Sequence, residues 1–402
     1  MSDLVKHLRA AAETLPPFES SNPDSLQLGV HLGRCLFVAG QPEAAQEIAR
    51  AILAKVPRNT PATHLLIDAA LRAKDFDTAL DALDAGRDKF PDTLVWLRRK
   101  FTVFNRAARR VEAIETAIAI LDFAPDDEDL LITLGRLYLA NGQPELAETT
   151  FGQAVACNPH SVAAWIGRIN AAQQHAGPEA AAEHAASAFA ALPTDPGIAE
   201  RSARTMIGAG RLKEAQEIVG RAVEAENGDQ PGLWLVSALV HRKLGNFAAA
   251  DAIHADLVAR NPSHVETWSS YIQTALEQGD LDRARDICAT ALQHCPDAPH
   301  LLARQAELLW QTGSESEALA QLADLHAGQP DDAAITLSLA EMYRKSGQFE
   351  NADTLYARIL AQDPENWSAL NGRVTLAEQR GDLQTAMGLL EQGAAGTPSD
   401  AA

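Results

Sequence analysis

The chain has 402 residues and a formal net charge of −20, with 34 Lys and Arg residues against 54 Asp and Glu residues. Its negative field repels phosphate, which excludes a general nucleic-acid binder. Apolar residues make up 46% of the chain but aromatic residues only 5%, so Ala, Leu, Ile and Val must form most of the core. Abundant Ala and Leu favour an all-helical protein.

The ends of the chain and its cysteines carry no signal for export or for a membrane. No run of 18 or more apolar residues predicts a membrane-spanning helix. Residues 2–15 are amphipathic but lack the apolar centre of a secretory signal, and we expect residues 1–22 to form a capping helix and a linker. Four cysteines without CxxC spacing fit reduced thiols, so we expect a cytoplasmic protein. The excess of Arg over Lys, 26 to 8, is compatible with a GC-rich bacterial genome.

Two residue types recur along the chain with a period of 34. Prolines stand 34 residues apart from position 57 to 193 and again from 262 to 398, and the interval between these series holds one extra residue. Alanines form a ladder from Ala45 to Ala386 in which every step is 34 residues, except the step of 35 from Ala215 to Ala250. Because both series place the insertion in one interval, the chain is a tandem repeat rather than two or three domains.

Each unit of the repeat predicts a helix, a tight turn, a second helix and a proline stop. In eight units a glycine stands five residues before the ladder alanine, where it would end the first helix in a left-handed conformation. Lys74, Ala108 and Ala176 take this place in units two, three and five, so we expect those turns to be the least regular. The ladder alanine must be small because the two helices of a unit cross there.

The clearest unit, residues 129–160, resembles the tetratricopeptide repeat family. The residues that match the spacing of the family are Leu131, Leu134, Gly135, Tyr138, Ala147, Phe151 and Pro159. The resemblance implies an all-α, right-handed superhelical solenoid of antiparallel helix pairs. Eleven such repeats would occupy residues 23–398 as one solenoid, and residues 399–402 would form a tail. First helices would line its concave surface and second helices its convex surface.

This resemblance implies a non-enzymatic scaffold that binds a protein segment in its concave groove, without a cofactor or metal. The candidates at outward-facing positions of the first helices are Arg34, His64, Arg98, Arg99, Asn105, Arg136, Asn170, Gln173, Arg201, Arg204, Arg242 and Trp310. Many of them are arginines, whose planar guanidinium groups pair bidentately with carboxylates. The candidates therefore predict an extended, acidic partner.

The densest basic segment is WLRRKFTVFNRAARR, residues 96–110, with six basic groups and no acidic group. Residues 1–250 carry a net charge of −6 and residues 251–402 a net charge of −14, so the acid is concentrated in the last part of the chain. A groove centred on units three to six is one interpretation of the arginines, and a solvated helix surface is the other. The Lys and Asn clamp and the asparagine ladder known in this family are absent as patterns.

Motifs for catalysis or metal binding are missing from the sequence. Cys288 stands where Phe151 stands in its own unit, so we interpret it as a small core residue. His241 and His254 replace aromatic core residues of the repeat and are expected to pack there. Trp310 lies at a groove position, where it would either anchor an apolar side chain of a partner or pack in the core.

The main alternative function is an accessory or specificity module for an enzyme of surface polysaccharide biosynthesis or protein modification, acting in trans or within one chain. The last unit lacks a polar capping helix, although solenoids need capped ends. That end could pack on a second copy to give a homodimer, dock on another protein, or precede a further domain.

Overall fold

The computed structural model describes residues 6, 7, 10, 23–87, 93–225 and 230–396. Most of the predicted N-terminal cap, the linker and the tail therefore lie outside the described residues. The described chain is all-α and divides into two compact bodies, residues Met1–Ala209 and Gly210–Ala402. A single solenoid and its right-handed superhelix remain predictions. No described helix is long and apolar enough to cross a membrane.

Eleven helices lie in the described part of the first body. They are α1 (Pro23–Val38), α2 (Pro42–Lys55), α3 (Thr60–Ala73), α4 (Phe76–Ala85), α5 (Thr93–Arg106), α6 (Arg110–Leu121), α7 (Glu128–Ala140), α8 (Pro144–Cys157), α9 (Val162–His175), α10 (Pro178–Ala191) and α11 (Pro196–Gly208). Within this body each helix packs on the next one along the chain, so the odd-numbered helices are the first helices of successive pairs.

Eleven more helices lie in the described part of the second body. They are α12 (Leu212–Ala225), α13 (Pro231–Lys243), α14 (Phe247–Arg260), α15 (Val265–Glu277), α16 (Leu281–His294), α17 (Pro299–Gln311), α18 (Glu315–Gly328), α19 (Ala333–Lys345), α20 (Phe349–Gln362), α21 (Trp367–Gln379) and α22 (Leu383–Gly396). From α13 onward, odd-numbered helices are again the first helices of their pairs.

The ends of the helices follow local sequence signals. Asp127 and Ser161 cap α7 and α9, because their side chains accept hydrogen bonds from backbone N–H groups three residues ahead. Pro144 opens α8, where a missing N–H group costs no helical hydrogen bond. The ladder alanines lie at the crossings of the helix pairs, and those from Ala45 to Ala352 are fully buried. Their size allows the two helices of a pair to approach closely.

First helices of neighbouring pairs contact one another along much of each body. In the first body α1 contacts α3, α7 contacts α9 and α9 contacts α11, and in the second body α13, α15, α17, α19 and α21 contact one another in order. Second helices of successive pairs do not show contacts of this extent among the described residues. The outward side chains of the first helices therefore lie close together on one surface of each body.

The turns between paired helices are more uniform than the sequence predicts. Eight glycines five residues before a ladder alanine have φ between 72° and 90°. Lys74 and Ala108 adopt the same left-handed conformation, with φ of 61° and 56°. In the fifth pair Ala176 stays right-handed and Gly177 takes the positive φ. The prediction of irregular turns is wrong for units two and three, because the packed helix ends impose the conformation on residues that disfavour it.

We expect Ala108→Gly to raise the free energy of unfolding by about 1 kcal/mol, because a left-handed residue with a Cβ costs about 1–2 kcal/mol and glycine does not. Urea denaturation followed by circular dichroism measures the difference. Ala107→Gly, one residue earlier, is the control, and it should destabilise the protein or leave it unchanged. A loss of stability in Ala108→Gly would contradict the conformational argument.

A second expectation concerns Gly135, on which the buried ring of Phe151 packs. A Cβ at Gly135 would lie 2.7 Å from Cζ of Phe151, whose side chain is buried. Gly135→Ala should therefore lower the free energy of unfolding by about 1–3 kcal/mol, the usual cost of overpacking. Gly220→Ala within α12, where nothing lies within 4 Å, should instead stabilise the protein by about 1 kcal/mol. Equal effects at both sites in urea denaturation would rule out this interpretation.

Candidate functional site

The outward side chains of the odd-numbered helices of the first body form what we call the first-helix surface. Its members are Arg34, His64, Asp68, Arg98, Arg99, Asn105, Arg136, Asn170, Gln173, Arg201 and Arg204. All but Asp68 were candidates on sequence grounds. They come from six helices, and the contacts between neighbouring first helices bring side chains from adjacent repeats together.

The basic segment of α5 is largely neutralised by acids from its neighbours. Arg98 Nη2 lies 2.6 Å from Asp127 Oδ2, and Arg99 Nη1 lies 2.9 Å from Asp68 Oδ1. Lys100 Nζ lies 3.0 Å from Asp84 Oδ1. Although residues 96–110 contain no acid, the fold supplies carboxylates from positions 16 to 31 residues before or after. The local sequence therefore overstates the positive charge of this segment.

His64 lies at one end of the first-helix surface, among charged groups of three helices. It is half-buried, and burial, followed by the nearby guanidinium of Arg99, lowers its pKa. Arg34 on α1 acts in the same direction more weakly, while the carboxylate of Asp68 opposes both. Arg34 itself is exposed, and no described carboxylate pairs with it. This end of the surface therefore keeps one unmatched positive charge.

Arg201 lies near the other end, on α11. Its Nη2 donates a hydrogen bond to Oδ1 of Asn170 on α9, and its Nε is buried without a hydrogen-bond partner among the described residues. Burial, followed by repulsion from Arg204, lowers the pKa of Arg201. Arg204 Nε donates to Oε1 of Glu200 at 3.0 Å, so its charge is partly matched.

Three further candidates face solvent without a described side-chain partner. Arg136 on α7, Asn105 on α5 and Gln173 on α9 are exposed. No described carboxylate pairs with Arg136, so it is a second open cation on the middle of the first-helix surface. Sequence reasoning missed the acids of this surface, although Asp68 and Glu200 occupy first-helix positions from which they reach the arginines.

In the second body Arg242 belongs to the interior rather than to an open groove. Its side chain is 10% exposed, and its Nε lies 3.5 Å from Glu277 Oε2. Nε and Nη1 lack hydrogen-bond partners among the described atoms. A ligand could therefore reach little of this guanidinium without a change in the surrounding packing.

Trp310 packs against the core on one side and lines a pocket on the other, and its role as an anchor for a partner remains a prediction. One side packs on the cluster that includes Ala306, Leu322 and Leu339. Another side lines a pocket of about 250 Å³, together with residues such as Leu337 and Glu341. Glu341 is already engaged, because it accepts hydrogen bonds from Arg344 and from the hydroxyl of Tyr356.

Cys288 and His254, both predicted to lie in the core, are buried there, whereas His241 is only partly buried. Cys288 is buried, its Sγ lies 3.6 Å from the carbonyl oxygen of Leu301, and burial raises the pKa of its thiol to about 11. His254 is fully buried, stacks on Tyr271 at 5.3 Å and contacts Oγ of Ser270 at 2.9 Å. Within the described residues no group of three His, Cys, Asp or Glu side chains could hold a metal ion.

His254 should make the stability of the second body depend on pH. Burial, followed by the charge of Arg242, lowers its pKa from 6.5 to about 4. The unfolded chain therefore binds a proton near pH 6.5, whereas the folded chain binds it only near pH 4. This group's contribution to stability is complete above pH 6.5 and falls by about 3 kcal/mol as the pH drops to 4.

The substitution His254→Gln removes this titration while keeping a polar group near Ser270. We expect the variant to lose less of its unfolding free energy than the parent protein between pH 7.5 and pH 4.5, as measured by urea denaturation. His160→Gln, at an exposed site, should behave like the parent. Identical losses in all three proteins would show that His254 does not carry the effect.

Comparison with known proteins shows which family the chain matches. Two family models, both described as tetratricopeptide repeat, match most of the chain. One covers residues 36–100, 106–169 and 275–342, and the other covers residues 235–299 and 337–401.

Curated relatives share part of their length with the chain. It is 28% identical over 284 residues to cellulose synthase 2 operon protein C of Komagataeibacter xylinus. This alignment covers 68% of the chain and 20% of that protein. It is 27% identical over 186 residues to cellulose synthase operon protein C of Pseudomonas fluorescens (strain SBW25). This alignment covers 44% of the chain and 14% of that protein. The chain thus spans a fifth or less of the length of these relatives.

Solved structures also match. A tetratricopeptide repeat protein from Parabacteroides merdae is 15% identical with a TM-score of 0.47, and the match covers 62% of this chain and 98% of that one. YrrB, described as a TPR protein with an unusual peptide-binding site, is 17% identical with a TM-score of 0.36, and the match covers 47% and 97% of the two chains.

Proposed function

The chain belongs to the tetratricopeptide repeat family, and on that premise we propose that it is a non-catalytic protein-interaction module. In this proposal the first-helix surface of the first body holds an extended, acidic segment of a protein partner. Its candidate contacts are the exposed or half-buried polar side chains that successive first helices contribute.

One observation carries this proposal: open positive groups recur along the first-helix surface. Arg34 and Arg136 are exposed without a described carboxylate partner, and Arg201 meets only the neutral amide of Asn170. These groups stand on α1, α7 and α11, so a partner that contacts all three must extend across several repeats. Guanidinium groups suit such a partner because they pair with carboxylates.

The distribution of charge favours the first body over the second. Residues 1–209 carry 20 basic and 26 acidic groups, whereas residues 210–402 carry 14 and 28. An acidic segment is therefore repelled less by the first body, and its local arginines can outweigh the mean field at short range.

A second candidate function specifies the setting of this interaction. The curated relatives are named as proteins of cellulose synthase operons, which supports our alternative of an accessory module in surface polysaccharide biosynthesis. In that setting the partner is a protein of the synthesis machinery, and the module acts in trans or as part of a longer chain. The cytoplasmic location remains a prediction.

Photocrosslinking tests whether the first-helix surface is used. A benzophenone amino acid at Arg136 or Gln173 should capture a partner in cells that make the polysaccharide. The same group at Glu115 on α6 or Ala190 on α10, which are exposed on second helices, serves as the matched control and should capture little. The captured proteins are identified by mass spectrometry.

Partners captured only from the second-helix positions would refute the groove proposal. The identity of the captured protein decides between a general scaffold and an accessory module of polysaccharide biosynthesis. A component of a polysaccharide synthase supports the second candidate function, and a protein unconnected with it leaves only the general scaffold.

A further inference from the structure

Two pairs of side chains stand in the same register on the first-helix surface, but only one pair is neutral. Asp68 on α3 pairs with Arg99 on α5, and Asn170 on α9 pairs with Arg201 on α11. In each pair the second residue follows the first by 31 positions. The repeat therefore places an oxygen of the earlier side chain against the guanidinium of the later one in both cases.

We infer that Asn170 and Arg201 form a subsite for one carboxylate group of the partner. This inference rests on the proposed function and names the chemistry of one place within it. In the pair of α3 and α5 the protein supplies the carboxylate itself, as Asp68. In the pair of α9 and α11 it supplies an amide, so the charge of Arg201 stays open to a ligand.

The surroundings of Arg201 add to this preference. Its side chain is half-buried, and its Nε is shielded from solvent without a hydrogen-bond partner among the described residues. A guanidinium that has lost part of its hydration gains more from an anion than an exposed one does. The repulsion between Arg201 and Arg204 also favours binding of an anion, because a bound carboxylate would relieve it.

The charges around Arg201 indicate that the subsite binds one carboxylate of the partner. Arg204 is paired with Glu200 across one turn of α11, with both groups more than a third exposed. This pair contributes little net charge, which leaves Arg201 as the one unmatched cation of the subsite. The amide nitrogen of Asn170 offers a second donor beside the guanidinium, so one carboxylate could accept hydrogen bonds from both residues.

The carboxylate could belong to an Asp or Glu side chain or to the end of a peptide chain. Both sources present the same planar, singly charged group. A twelve-residue peptide of alternating Ser and Glu with an amidated end carries only side-chain carboxylates. A Ser and Gln peptide with a free end carries only the terminal one, and its amidated form carries none. Fluorescence anisotropy at low salt measures the binding of all three labelled peptides to the full chain.

The decisive variant is Asn170→Asp, which copies the Asp68 arrangement by a change of one amide to a carboxylate. It should weaken binding of the carboxylate peptide about tenfold or more, because the new carboxylate occupies Arg201 and repels the ligand. Arg201→Gln should weaken binding to a similar extent. The reverse change, Asp68→Asn, frees Arg99 and should strengthen binding or add a second site.

Folding is checked independently for each variant. Asn170→Asp adds an ion pair, so circular dichroism and the midpoint of thermal unfolding should match those of the parent protein or exceed them. Loss of binding in a folded Asn170→Asp variant, with gain of binding in Asp68→Asn, supports the subsite. The peptide whose affinity falls most identifies the source of the carboxylate.

Two results would overturn the inference. One is equal binding of the carboxylate and amidated Gln peptides by the parent protein. The other is unchanged binding in the folded Asn170→Asp variant. Neither result would refute the proposed function, because capture of a partner at Arg136 or Gln173 does not require a carboxylate at Arg201.

Discussion

The close approach of two helices at each ladder alanine is the contact on which the rest of the structure depends. Ala147, between α7 and α8, is fully buried, as are its counterparts from Ala45 to Ala352. A larger side chain would separate the two helices and expose the apolar faces that hold each pair together. Since each pair covers only its neighbours, the same contact must recur in every repeat.

This packing also arranges the polar surface. Contacts between successive first helices bring residues about 31 positions apart into hydrogen-bonding range, such as Asp68 with Arg99 and Asn170 with Arg201. Charge on the first-helix surface therefore depends on which residues share a register rather than on local composition. Residues 96–110 illustrate this, because Asp68, Asp84 and Asp127 pair with three of their six basic groups.

We infer ligand binding where the earlier side chain of such a pair does not neutralise the arginine of the later one. An internal carboxylate pairs with Arg99, whereas Arg201 meets only the neutral amide of Asn170, and our proposal of a ligand at Arg201 rests on this difference. In the second body, by contrast, Arg242 is almost buried, and Trp310 lines a pocket beside Glu341, whose carboxylate already has partners. These differences are the reason why we propose that the acidic partner binds the first body.

The period of 34, the helix pairs and the identity of the buried residues could be predicted from the sequence, because each depends on contacts within one repeat or between neighbours. Cys288 and His254 were correctly placed in the core by their position in the repeat. The left-handed conformation of Ala108 could not be predicted, since the packing of helix ends overrides the preference of one residue for φ.

Only the tertiary structure decided which groups on the first-helix surface are open. Arg98 and Arg99 resemble Arg136 and Arg201 in the sequence, but partners distant along the chain neutralise the first two and leave the others available. The division into two bodies likewise could not be predicted from the repeat. Both features depend on distances between residues far apart in sequence, which periodicity alone does not specify.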